Sequence, residues 1–176
     1  MGDKSKKAKK ADGPKRIGVV DTMFARYNMG RAARTELAEC PGYDENFVVI
    51  SRTVPGFKDL AVAAKVLIER HGCDIVVVLG MPGSAPIDKQ CAHEAALGIM
   101  MAQLLTSTPI LEVFVHEDEA DDPDVLASVF DQRSRKHARN AYWMLFDPEQ
   151  LERRAGLGIR QGFEDAGPLG LVGQAL

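Results

Sequence analysis

The chain of 176 residues contains little cysteine and no long apolar run. Its three cysteines, Cys40, Cys73 and Cys91, form no CxxC pair, and an odd number of thiols does not suit a disulfide framework. We interpret them as buried thiols, because free cysteine packs as a small hydrophobic residue. No stretch reaches the roughly 20 apolar residues that a membrane-spanning helix needs, and the N-terminus lacks the apolar segment of a signal peptide. These absences predict a cytoplasmic protein with no membrane partner.

Several common functional motifs are also missing. The sequence has no GxxxxGK[ST] and no GxGxxG after its first predicted strand, so the usual loops that bind nucleotide phosphates are not supported. It has no GxSxG elbow, and Cys91 lies inside a predicted helix, which disfavours nucleophilic catalysis by that cysteine. The HExxH and EF-hand spacings are absent as well, so the sequence predicts no dedicated metal site.

Charge is unevenly distributed along the chain. The first 16 residues hold seven lysines and arginines against two aspartates, and the remainder holds 15 basic and 23 acidic residues. A basic tail on an acidic body argues against a nucleic-acid-binding domain. We expect the tail to be a solvated, disordered extension, and weak contact with phosphates is the alternative.

Apolar segments of strand and helix periodicity alternate after this tail. The predicted strands span residues 16–20, 47–51, 75–79 and 110–115, and the predicted helices span residues 29–39, 60–71, 88–106, 125–146 and 148–157. This alternation with short connections predicts an α/β fold, a small doubly wound four-stranded parallel sheet with helices on both faces. We assign one domain to residues 16–168, between a tail over residues 1–15 and a C-terminal tail over residues 169–176.

The predicted helix over residues 88–106 is apolar on more than one side. Such a helix usually contacts a second partner, so we predict a homo-oligomer. The alternative is that the two C-terminal helices cover this surface within one chain.

The first two loops at the carboxyl ends of the predicted strands contain groups that suit a ligand. Phe24 lies just past the first strand, where an aromatic ring can stack on a flat heterocycle, although packing against the following helix is the alternative. The second loop, Val54–Asp59, places backbone amides at a helix N-terminus, where they can bind hydroxyls or anions. Asp59 itself also suits a helix N-terminus with no ligand present.

The third and fourth loops add titratable groups. Gly80 and Gly83 let the backbone approach a ligand closely, and His93 follows in the next helix as a candidate proton carrier. A packed or solvated histidine is the alternative. The fourth loop, His116–Asp122, holds a histidine and five acids. These acids can compensate the following helix N-terminus, or they can hold Mg²⁺.

Six strings of residues together resemble the archaeal-type riboflavin synthases, which are themselves similar to the lumazine synthases. The resemblance covers residues 16–168, nearly the whole body of the chain. The strings that carry it are Ile17–Arg26, Thr53–Leu60, Leu79–Gly83, Cys91–Ala95, Glu112–Ala120 and Arg160–Pro168.

The resemblance implies a lumazine synthase-like, flavodoxin-like three-layer fold and an enzyme of riboflavin biosynthesis. Two molecules of 6,7-dimethyl-8-ribityllumazine would dismutate to riboflavin and 5-amino-6-ribitylaminouracil, with no organic cofactor. The resemblance leaves a helping role for Mg²⁺ open. It also implies a homopentamer with active sites at the subunit interfaces.

The resemblance also implies roles for individual residues. His93 would match the catalytic histidine of the lumazine synthases, Phe24 would stack on a lumazine ring, and Asp59 would hold ribityl hydroxyls. The full predicted site has His93 and His116 as catalytic residues, and Phe24, Ala25, Arg26, Pro55, Gly56, Phe57, Asp59, Gly80, Met81, Pro82 and Gly83 as substrate-binding residues.

One region departs from the lumazine synthases, which have an aromatic residue near the end of the fourth strand and cations for a substrate phosphate. Here four acids, Glu112, Glu117, Asp118 and Glu119, occupy that region and are expected to repel phosphate. This favours an enzyme that makes riboflavin from two lumazines, unless an arginine near the C-terminus folds back into the pocket. Lumazine synthase activity and a non-catalytic flavin-binding module are the alternatives.

Overall fold

Four parallel strands form one sheet in the order β2-β1-β3-β4. The computed structural model describes residues 13–170, so most of the predicted basic tail and the last six residues lie outside it. The strands are β1 (Lys15–Thr22), β2 (Phe47–Val54), β3 (Ile75–Gly80) and β4 (Ile110–Phe114), and the helices are α1 (Met29–Ala38), α2 (Leu60–His71), α3 (Pro86–Thr106), α4 (Pro123–Phe146) and α5 (Glu149–Arg154). The predicted α/β fold with a four-stranded parallel sheet is confirmed.

The middle of the sheet is apolar on both faces. All six residues of β3 are buried, as expected of a parallel strand covered by helices on either side. One apolar cluster lies under α1 and α4 and contains Phe47 and Phe130. A second cluster lies on the other face under α2 and α3 and contains Leu60 and Ile99. The result is the predicted three-layer arrangement.

The first strand runs two residues further than the sequence predicted. Asp21 and Thr22 continue β1 and are buried, although the sequence analysis assigned them to a loop. The hydroxyl of Thr53 on β2 donates a 2.7 Å hydrogen bond to the carboxylate of Asp21. A partner on the adjacent strand therefore lets a buried carboxylate extend the strand.

Proline and glycine set several helix ends. Pro86 and Pro123 lie in the first turns of α3 and α4, where no N–H is needed, so both helices begin two residues before their predicted starts. Gly72 ends α2 in the left-handed conformation with a φ of 67°. The short helix α5 is shorter than predicted and ends at Arg154.

One side of α3 is apolar and uncovered in the single chain. Leu97, Met100, Met101, Leu104 and Leu105 are between 44% and 77% exposed. The alternative that the C-terminal helices cover this surface is wrong, because α4 packs against α1 on the opposite face of the sheet. Throughout residues 13–170, no helix combines the length and apolar character required to cross a membrane. A cytoplasmic location stays a prediction.

Candidate active site

A groove of about 450 Å³ runs along the outer edge of β4, between α3 and α4. Its polar lining comes from three directions. His93 belongs to α3, Glu112 belongs to β4, His116 follows β4, and Arg133 and His137 belong to α4. The groove therefore brings together the two predicted catalytic histidines and four further titratable or charged side chains, among them Lys89 of α3.

Small side chains keep this groove open. Ala92 and Ala96 are one helical turn apart on α3 and line the groove beside the edge strand. Within the described sheet, β4 pairs with β3 on one side alone, so its other edge is open. An edge strand flanked by alanines leaves room for a ligand where a central strand would have a neighbour.

Glu112 is the half-buried carboxyl group of the groove. It lies on the same side of β4 as Ile110 and Phe114, which pack in the cluster under α2 and α3. Burial raises the pKa of Glu112, and no nearby cation offsets this effect. Among residues 13–170 it takes part in no ion pair and accepts no hydrogen bond. A carboxyl group in this state suits contact with a ligand.

Burial also affects two histidines of the groove, His116 and His137. The Nδ1 atom of His116 is buried and has no hydrogen-bond partner in the described structure. Burial, and to a smaller extent the positive charge of Arg133, lower the pKa of His137 from 6.5 to about 4. The imidazole of His137 is therefore neutral at physiological pH.

Arg133, by contrast, is fully engaged with the protein. Its guanidinium donates to both carboxylate oxygens of Glu119, at 2.8 and 2.6 Å, and to the carbonyl oxygens of Phe114 and Gln161. Burial raises the pKa of Glu119, but the hydrogen bonds from Arg133 and from the N–H of His116 outweigh it and leave this pKa lowered. Arg133 thus joins α4, the end of β4 and the C-terminal segment.

Four of the five acids of the loop after β4 are paired within the chain. Glu117 bonds to Arg26 at 2.7 Å, and Asp118 bonds to Lys89 at 2.5 Å. Asp122 accepts from the first two amides of α4 that follow Pro123. The interpretation that these acids compensate the following helix N-terminus is supported for Asp122. Glu117, Asp118 and Glu119 each pair with a cation instead, which weakens the repulsion of phosphate expected of them.

This pairing also bears on Mg²⁺. Four of the five carboxylates that the sequence offered as ligands, all except that of Asp121, already bond to arginine, lysine or helix amides. Over residues 13–170, no group of three or more histidine, cysteine, aspartate or glutamate side chains is arranged to hold a metal ion. The acids of this loop do not fit a magnesium site.

The first loop presents its aromatic ring to solvent. Phe24 is 62% exposed, so the alternative that it packs against the following helix is wrong. Its neighbour Ala25 is half-buried, and Arg26 is engaged with Glu117. An exposed ring just beyond the end of β1 is available for stacking on a ligand.

In the second loop, Asp59 interacts with the backbone of the same loop. Its carboxylate accepts a 3.2 Å hydrogen bond from the N–H of Gly56. Pro55 is exposed, and the Phe57 ring packs edge-on against Phe114 at 6.1 Å between centroids. Asp59 thus has a structural function at the start of α2, and a ligand that used the Gly56 amide would displace it.

The two glycines of the third loop allow close packing against neighbouring side chains. A Cβ atom at Gly80 would lie 3.0 Å from the Phe114 ring, and one at Gly83 would lie 2.3 Å from the carboxylate of Asp88. Met81 and Pro82 are buried between them, and the carbonyl oxygen of Pro82 accepts from the N–H of Glu117. The loop is held tightly at the carboxyl end of the sheet.

The predicted site residues therefore form two groups in one chain. His93 and His116 line the groove, whereas in the described structure the groove lining includes neither Phe24 nor Asp59. Sequence reasoning did not assign Arg133 or His137 to the site. Their spacing of four residues in a predicted helix places both on one helix face, and this signal was available.

The fold and the groove define a small three-layer α/β protein with a ligand-sized site at the open edge of its sheet. The profile of the 6,7-dimethyl-8-ribityllumazine synthase family matches residues 14–147, and the chain belongs to this family. It is 55% identical over 154 residues to the riboflavin synthase of Methanothermobacter thermautotrophicus, covering 88% of this chain and 99% of that protein. It is 42% identical to the riboflavin synthase of Archaeoglobus fulgidus, covering 88% and 98% of the two chains. It is 43% identical to that of Aeropyrum pernix, covering 87% and 97%.

Proposed function

We propose that this protein is a riboflavin synthase, a transferase that converts two molecules of 6,7-dimethyl-8-ribityllumazine into riboflavin and 5-amino-6-ribitylaminouracil. The observation that carries the proposal is the 55% identity to a riboflavin synthase over 99% of that protein's length. The groove supports it, because its unpaired side chains suit a polar but uncharged heterocycle.

The reaction is balanced between its two substrate molecules. One lumazine gives a four-carbon unit to the other, and no oxidant, reductant or organic cofactor is consumed. Holding two rings in reactive contact replaces a bimolecular encounter and can supply as much as roughly 7–11 kcal/mol of the barrier reduction. The protein therefore needs two adjacent ring sites and groups that move protons between them.

We propose that these ring sites form between subunits of a homopentamer. Two features support this assembly. The exposed apolar side chains of α3 have no partner in the chain, and contiguous apolar patches of this kind commonly mark interfaces. The loop residues Phe24 and Asp59 are also separate from the groove in one chain, so a neighbouring subunit can bring its loops to this groove.

In the proposed site, Phe24 stacks on one lumazine and Asp59 binds ribityl hydroxyls together with the second loop. The backbone of Gly80–Gly83 forms the pyrimidine-binding edge. His93 and His116 carry protons in the groove. These assignments rest on the family resemblance and on the exposure or position of each residue.

Incubation of the purified protein with 6,7-dimethyl-8-ribityllumazine alone tests the function. We expect riboflavin fluorescence to appear, with two lumazines consumed for each riboflavin and one pyrimidine released. The same rate is expected with added Mg²⁺ and with a chelator, because four of the five loop acids are already paired and no described cluster suits a metal ion.

Two results would contradict the proposal. One is lumazine formation from the pyrimidine and a phosphorylated four-carbon sugar without conversion of lumazine to riboflavin. This result would identify a lumazine synthase, the activity for which the matching family is named. The other is stoichiometric binding of riboflavin with no turnover, which would identify a flavin-binding module.

A further inference from the structure

Glu112 differs from every other acid near the groove. Glu117, Asp118 and Glu119 each bond to a cation, whereas Glu112 has no such partner in the described structure. It lies on the open edge strand beside the small residues of α3, and its carboxyl group is half-buried. Leaving a half-buried carboxylate unpaired costs stability, and such a cost is typical of functional sites.

The charged and titratable groups around Glu112 leave its carboxylate free. Lys89 on α3 is bonded to Asp118, and Arg133 on α4 is bonded to Glu119 and to two carbonyl oxygens. His137 on α4 is neutral at physiological pH because its pKa is lowered to about 4. His93 on α3 and His116 after β4 complete the set, and neither bonds to Glu112.

We propose that Glu112 is a catalytic residue, the base that accepts a proton from the C7 methyl group of a lumazine bound in the groove. The inference rests on the proposed function. In this step the methyl C–H bond breaks, the proton joins the Glu112 carboxylate, and the electron pair moves into the pteridine as an exocyclic methylene. The proton returns to the nitrogen of the departing pyrimidine, so the overall reaction stays balanced.

A carboxylate and a histidine can divide the two proton transfers. The reaction removes a proton from carbon early and delivers one to nitrogen late, so a base and an acid are both needed. Glu112 lies on the strand wall of the groove and His93 on the helix wall. This division gives each group a different experimental signature.

The test compares Glu112→Gln with Glu69→Gln as a matched control. The control removes a glutamate from an exposed ion pair with Lys65 on α2, away from the groove. Three quantities are measured for each variant: turnover of lumazine, enzyme-accelerated exchange of the C7 methyl protons for deuterium by NMR, and riboflavin binding by fluorescence quenching. Circular dichroism checks folding, and Glu112→Asp serves as a second variant that retains the carboxylate but retracts it.

We expect Glu112→Gln to lower turnover and methyl exchange together by about 10²–10⁴-fold, with riboflavin binding changed by less than about threefold. Glu112→Asp retains part of both activities, and Glu69→Gln equals the wild type. The pH profile adds an independent readout. The acid limb of wild-type kcat should lie above the ordinary glutamate range, because burial raises the pKa of Glu112, and this limb should be absent from the residual rate of Glu112→Gln.

Turnover and exchange by Glu112→Gln within threefold of the wild type would overturn the inference. So would loss of riboflavin binding in parallel with turnover, since this pattern belongs to a structural residue. If Glu112→Gln does not fold, wild-type exchange by Glu112→Asp overturns the inference and reduced exchange supports it. Failure of the wild type to make riboflavin from lumazine contradicts the proposed function instead, so the two failures are distinguishable.

Discussion

The two long helices α3 and α4 lie on opposite faces of the sheet. They differ in whether the side chains on their outer surfaces have partners within the chain. The outer charges of α4 find partners within the chain: Arg139 bonds to Glu36 of α1 at 2.7 Å, and Arg135 bonds to Asp131 at 2.8 Å. The outer apolar side chains of α3 are not covered by other described residues, and Leu104 is 77% exposed. The difference supports the proposed assembly, in which α3 faces another subunit while the charges of α4 are paired within the chain.

A charged substitution on the apolar side of α3 should have the broadest effect, on assembly as well as on activity. We expect Leu104→Glu to disrupt the assembly, because each interface would bury an unpaired carboxylate, and to lower activity by roughly 100-fold or more if half of each site is lost. Analytical ultracentrifugation and turnover of lumazine measure the two effects.

The matched control is Val125→Glu on α4, where an exposed valine also becomes a glutamate. We expect this variant to keep both the assembly and the activity. A Leu104→Glu protein that sediments like the wild type would show that the apolar side of α3 is not the interface.

His93 lies on α3 and lines the groove, so its substitution tests whether this helix also takes part in catalysis. We expect His93→Ala to slow turnover by about 10²–10⁴-fold if it acts as an acid or base, while methyl-proton exchange, assigned to Glu112, continues. Steady-state kinetics and NMR exchange measure these outcomes. A decrease in turnover of less than tenfold would mean that positioning of the two rings dominates and that the role of His93 is wrong.

His137 lies on α4 and also lines the groove. Its substitution should change the pH dependence of the protein's stability. Its pKa is lowered from 6.5 to about 4, mainly by burial, so the folded state binds fewer protons than the unfolded state in this range. His137 therefore does not reduce the free energy of unfolding above pH 6.5. As the pH decreases towards 4, protonation of His137 in the unfolded state lowers this free energy by roughly 2–3 kcal/mol.

Urea unfolding at pH 7 and pH 4.5 checks this effect. We expect His137→Gln to lose less stability between the two pH values than the wild type does, with His71→Gln at the end of α2 as the control. An equal loss for the wild type and His137→Gln would contradict the assignment.

Asp59 belongs to neither long helix and should give the smallest effect. We expect Asp59→Asn to raise KM about fivefold through loss of roughly 1 kcal/mol of hydrogen bonding, with little change in kcat. Unchanged kinetics would remove Asp59 from the site. Because Asp59 also accepts from Gly56, a thermal melt is needed to separate loss of stability from loss of binding.

The regular parts of this fold were predictable because they depend on local pattern. The run Ile75–Leu79 is apolar on both faces, and the apolar residues of α2 recur at helical spacing up to Gly72. The continuation of β1 through Asp21 was missed because the residue that satisfies it, Thr53, lies on another strand.

The candidate site was predictable only in part, for a related reason. The loops proposed to face the ligand could be recognised in the sequence from their glycine and aromatic residues, among them Gly80 and Phe24. The sequence did not show which acids are paired with cations, because such partners are distant in sequence. Glu117, for example, pairs with Arg26, which is 91 residues away. The free state of Glu112 could be recognised only once these other pairs were known.

The central claim is that each active site is shared between two subunits, and mixed assemblies test it most directly. Phe24→Ala alters the loop half and Glu112→Gln alters the groove half, so each protein alone should be at least about tenfold impaired. Co-refolding equal amounts should restore activity to about one quarter of the wild type, since about one site in four then combines two intact halves. Activity no higher than the mean of the two separate variants would contradict a shared site.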